Sequence, residues 1–85
     1  MYDTLYQAFH SVRDAKNFEM LKERVERVCL LNSVILEDSF KQPQSTHMEY
    51  VFVGTTAICM KSVKLQIVYT WEDHAFILVS FQNMP

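Results

Sequence analysis

KLQIVYTWEDHAFILVSF, residues Lys64–Phe81, is the stretch whose reading decides the fold. Two apolar runs flank Glu72-Asp73-His74, residue types suited to a short polar turn, so the stretch reads as a hairpin. It holds the chain's one Trp and its densest apolar run. A register with Trp71 opposite Phe76 sets Tyr69 against Leu78 and Ile67 against Ser80 on one face. The other face then pairs Thr70 with Ile77, Val68 with Val79 and Gln66 with Phe81. Neither face is polar, whereas a strand with one wet face alternates apolar and polar residues. Helices cover one face. The other is covered either by a second copy, the commonest form of oligomer, or by Phe40 and the connecting loop of the same chain.

Upstream of the hairpin, Met48–Val53 reads as a strand, with Met48, Tyr50 and Phe52 alternating against Glu49, Val51 and Val53. Gly54-Thr55-Thr56 contains the chain's single Gly and is expected as a turn, with Ala57–Met60 returning as the next strand. Lys61–Lys64 leads into the final hairpin. Further back, Lys41–His47 is the most polar segment and contains Pro43, which marks a connecting loop. Ser33–Leu36 is β-branched and short, either a strand or the ragged end of a helix.

From Met1 to Gln42 no Gly or Pro interrupts the chain, and the apolar spacing is helical. Tyr2, Leu5, Phe9 and Val12 form one stripe, with Asp3 as a candidate N-cap. Phe18, Leu21, Val25 and Val28 form a second, backed by the opposite-charge pairs Lys22–Glu26 and Glu23–Arg27. The stripes differ in phase, and Asn17 is a good N-cap, so two helices with a break near Asp14–Asn17 are preferred. One long bent helix is the alternative, bridged by Ala15.

The segment Val68–Phe81, VYTWEDHAFILVSF, loosely resembles the last two strands of the Tctex-type dynein light chains. It is also somewhat similar to the terminal hairpin of the kinase-associated domain of AMP-activated kinase. The first likeness implies a helix-then-sheet adaptor fold. Both cover less than a quarter of the chain, and no binding residue carries over.

Composition narrows the function classes. The 85 residues carry 8 Lys+Arg against 10 Asp+Glu, a net charge of −2, with no basic stripe to neutralise phosphates; nucleic acid is disfavoured as a partner. No apolar run reaches the ~20 residues that cross a bilayer, and MYDTLYQAF lacks the pattern of a secretory signal. Cys29 and Cys59 lie in apolar surroundings without paired spacing, as reduced core thiols of a cytoplasmic protein would. His10 and Asp14, four apart, suit a surface ion pair better than an acid–base couple. His47 sits in a polar loop and His74 in a turn; with the two Cys they lack the spacing of a zinc site. One glycine makes no phosphate-cradling loop, and no Ser or Cys sits in a nucleophile motif.

The expected fold is therefore α+β, a single domain over residues 1–85. A mainly helical half (1–36) joins through a polar loop (37–47) to an antiparallel sheet of about four strands (48–85), with the helices packed on one sheet face. The expected function is a non-enzymatic protein-interaction domain without metal or cofactor. It would be homodimeric and serve as an adaptor or as an inhibitor of a larger protein, of the kind phages or plasmids carry. Tyr50, Phe52, Tyr69, Trp71, Phe76 and Phe81 are the candidate partner-binding residues. A small RNA-processing enzyme or RNA binder using His10, His47 or His74 is the alternative, and a structural subunit of a larger complex a third reading.

Overall fold

Asn17 settles the helical half. Its backbone is extended (φ −154°), and its side-chain oxygen accepts the Met20 N–H at 2.8 Å, which satisfies one of the free donors that open a helix. In the computed structural model, which describes the backbone of residues 2–70 and 75–83 and the side chains of 3–70, there are two helices rather than one. The first, α1, is Tyr2–His10, and the second, α2, is Phe18–Leu31. Asp3 lies inside the first turn of α1 rather than capping it, still at the positive end of the dipole. Between the helices Ser11 Oγ donates to the Ala8 carbonyl at 2.7 Å, and buried Ala15 anchors the connection to the core. No Gly ends α2. Ser33 takes the left-handed conformation (φ 58°), while the Asn32 side chain donates to the Val28 carbonyl at 2.8 Å.

The strands are β1 (Ile35–Pro43), β2 (Met48–Ile58), β3 (Lys61–Thr70) and β4 (Ala75–Asn83). They form one antiparallel meander in the order β1-β2-β3-β4. The fold class is α+β as expected, with the helices on one sheet face. The membership of the four strands differs from the sequence reading in three places.

First, most of the segment 37–47 is strand rather than loop; only Gln44–His47 turns, closed by the Gln44 N–H donating to the His47 carbonyl at 2.8 Å. Second, Gly54 lies mid-strand in β2, without positive φ. A Cβ there would stand 3.0 Å from the Ile35 carbonyl oxygen and 3.0 Å from Val34 Cγ1, so the glycine admits β1 rather than making a turn. The actual β2–β3 turn is Cys59-Met60, both left-handed at φ 52° and 65°.

Third, the β3–β4 register is shifted and bulged. Tyr69 faces Phe76, Val68 faces Ile77 and Ile67 faces Leu78, but Gln66 faces Ser80 and Leu65 faces Phe81. Val79 is the extra residue. All six expected pairings are replaced: Trp71 with Phe76, Tyr69 with Leu78, Ile67 with Ser80, Thr70 with Ile77, Val68 with Val79 and Gln66 with Phe81. The expected turn Glu72-Asp73-His74 and Trp71 lie outside the described residues.

The register sorts β2 and β3 into two faces. Phe52 and Ile58 share the helix-covered face with Val63, Leu65, Ile67 and Tyr69, and all six pack with Leu5, Phe9, Leu21 and Val25. The Tyr69 hydroxyl donates to the Phe9 carbonyl at 2.7 Å, tying β3 to α1. Across the opposite face a single row, Phe40–Val51–Val68–Ile77, crosses all four strands. Its central pair, Val51 and Val68, is already 0% and 5% exposed within one chain. The case for a second subunit covering this face is correspondingly weaker, because its central apolar area is already withdrawn from water.

Candidate functional site

The structure separates the described members of the candidate partner-binding set. Phe52 and Tyr69 are buried in the core, Phe52 meeting Tyr69 edge-on with ring centroids 5.7 Å apart. They hold the fold and have no surface to offer. Tyr50 is half-buried, stacked on Phe18 at 5.1 Å, and the Lys41 ammonium lies 5.2 Å from the same Phe18 ring. Phe76 and Phe81 are placed only by register, opposite Tyr69 and Leu65.

The candidate chemical groups also take structural partners. Asp14 pairs with Arg24 at 3.0 Å instead of with His10. His10 stacks on Tyr6 with centroids 5.7 Å apart. His47 Nε2 lies 3.5 Å from a Glu49 carboxylate oxygen, and its Nδ1 is 3.0 Å from Thr46 Oγ1. Among the described residues no three His, Cys, Asp or Glu side chains gather as a metal site. Neither Lys22–Glu26 nor Glu23–Arg27 closes to an ion pair among the described residues. Both cysteines are free thiols. Cys29 is buried beneath α2, and burial, with Glu26 adding to it, pushes its pKa up to about 11. Cys59, expected in the core, is exposed in the β2–β3 turn.

Surface apolar groups collect elsewhere. Leu30 and Leu31 at the end of α2 are 82% and 76% exposed, and Met60 at the turn is 101% exposed. The two leucines fall outside the phase of the Phe18–Leu21–Val25–Val28 stripe, a signal present in the sequence and passed over. At this same end a cavity of about 520 Å³ is lined by Thr4, Leu5, Asn32, Ser33, Thr56 and Ala57. None of these six side chains is charged or nucleophilically activated.

The two outer strands differ more sharply than any two side chains do. An edge strand presents unpaired N–H and C=O groups, and proteins blunt it with charge, proline and bulges. Strand β1 (ILEDSFKQP) has all three: Glu37, Asp38 and Lys41, a terminal Pro43, and a register break between Leu36 and Asp38. At that break Glu37 accepts from the Thr55 hydroxyl at 2.9 Å, and the Asp38 carboxylate accepts the Ser39 N–H at 2.8 Å. Strand β4 (AFILVSFQN) has no charge and no proline along its nine residues. Its bulge at Val79 breaks the ladder to β3. Among the described residues no strand pairs with its outer side.

No protein-family model matches this chain, and neither the curated proteins nor the solved structures contain a significant match. Neither family suggested by Val68–Phe81 is supported by these comparisons. Among the described residues no helix is long and apolar enough to cross a membrane.

Proposed function

We propose that this chain is a non-enzymatic protein-interaction domain that offers the outer edge of β4 to an extended segment of another polypeptide. In this role it acts as an adaptor or as an inhibitor of a larger protein. The observation that carries the reading is the asymmetry of the two edges. Both edge strands carry a bulge, but one is also guarded by charge and proline, whereas the other is a neutral nine-residue strand. Strand addition draws affinity from main-chain hydrogen bonds and needs only an accessible edge of sufficient length. The histidines are assigned no part in it.

The test is a scan with a photo-crosslinking side chain placed one at a time at Ser80 in β4, Ser39 in β1, Leu31 and Met60. The full chain is expressed and irradiated in living cells. Adducts are expected from position 80 and not from position 39. Adducts from positions 31 or 60 alone would move the site to the apolar end of the molecule and overturn the reading.

A further inference from the structure

We infer that the segment received by β4 is β4 of a second copy, paired antiparallel about a two-fold axis, so that two four-stranded sheets become one of eight strands. The inference rests on the edge reading above and names its partner. Two features favour a copy over a foreign strand.

The first is charge. In a two-fold antiparallel pair, each residue contacts the copy of a residue of the same strand, so a charged side chain near the axis meets its own like charge. Strand β4 is compatible with itself because Ala75–Asn83 has no charged residue. Strand β1, with Glu37, Asp38 and Lys41, sets like charges against each other in registers centred on either acid, between the two or on Lys41, though not in those that pair Lys41 with an acid. Nine residues at roughly 3.3 Å each give about 30 Å of edge.

The second is the helix beside that edge. Of the two helices, α1 approaches β4, and α2 approaches β1. The residues Thr4 and Leu5 border the cavity at Thr56 and Ala57, whereas the Phe9 carbonyl meets the Tyr69 hydroxyl, so α1 travels from the β2–β3 turn end of the sheet toward the β3–β4 end. A two-fold axis at the β4 edge sets α1 antiparallel to its copy on the same face of the joined sheet. The acidic start of one helix, Asp3, then faces the far end of the other, where Arg13 donates to the His10 carbonyl and ring nitrogen and supplies the positive charge. Opposite helix ends attract in that arrangement.

Sedimentation of the purified full chain across a concentration series tests this, with Ser80→Lys/Gln82→Lys in β4, Ser39→Lys in β1, and circular dichroism to verify folding. A reversible dimer is expected, weakened about tenfold or more by the β4 pair of lysines and unchanged by Ser39→Lys. Should the lysine variant unfold, Ser80→Cys in a Cys59→Ser background gives an independent readout, with oxidation expected to link two copies through position 80. A monomer throughout the series, together with in-cell adducts from position 80 to a different protein, overturns self-pairing and leaves the edge reading intact. A monomer with no adducts at position 80 overturns both. A dimer weakened by Ser39→Lys but not by the β4 lysines also overturns both.

Discussion

Strands β1 and β4 are the two borders of one sheet, of equal length, and they solve opposite problems. Strand β1 is half-buried or exposed along its whole length, and its edge carries Glu37, Asp38, Lys41 and a terminal Pro43, features that oppose further pairing. Strand β4 is apolar and neutral, and it sits beside the shorter helix. On the proposed reading, the difference lets the sheet carry specificity through what its edges forbid. A small domain can leave one edge open only if the other is shut, because two open edges would polymerise it.

The largest predicted effect comes from erasing that difference. Replacing the guards of β1 with neutral strand formers (Glu37→Thr, Asp38→Val, Lys41→Thr) gives the sheet two open edges. Light scattering should then show dimers replaced by large, open-ended assemblies. If the variant keeps the wild-type size, the guards are not what closes β1.

Next in size is Gly54→Ala. Its Cβ would stand 3.0 Å from a backbone carbonyl of β1, so the strand must move outward; overpacking of this kind costs about 1–3 kcal/mol. Urea unfolding should show the loss, and hydrogen exchange should show it concentrated in β1. A uniform loss across both edges would mean that Gly54 does not specifically seat β1.

The smallest effect is a pH dependence. The Cys29 thiol is raised from 9.0 to about 11, mainly by burial and then by Glu26. Well below pH 9 it is protonated in both the folded and unfolded chain, and stability should be flat on this account. As pH rises through 9.0 the unfolded thiol ionises first, and stability falls until the folded thiol also ionises near pH 11. Burial raises the Tyr69 phenol as well, so the alkaline loss should be shallower but still present in Cys29→Ala. Cys59, exposed at the turn, should react with a thiol reagent in native protein at neutral pH while Cys29 does not.

The helical half and the α+β class were legible because buried stripes such as Leu21–Val25–Val28 repeat at the helical period, and because Asn17 is a cap by residue type. Strand β1 was not legible. A border strand with neither face fully buried loses the two-residue alternation that marks a strand, and its charged guards imitate a loop. Gly54 read as a turn because close backbone approach and a left-handed turn both call for glycine, and only the tertiary neighbour Val34 distinguishes them. The real turn, Cys59-Met60, has residue types that seldom adopt left-handed backbone. Of the candidate partner-binding residues, Phe52 and Tyr69 lie in the core because strand alternation sorts residues into two faces without saying which face the helices cover. Near the turn each β3 residue faces a β4 residue two places earlier than expected, and the extra residue at Val79 halves that offset, so that Phe81 stands opposite Leu65.

The most direct measurement is amide hydrogen exchange, resolved by residue, at low and high protein concentration. Pairing at β4 predicts that alternate β4 amides, those on the outer edge, gain protection as concentration rises while β1 amides do not change. Concentration-independent exchange at β4, or protection that builds at β1 instead, would contradict the account.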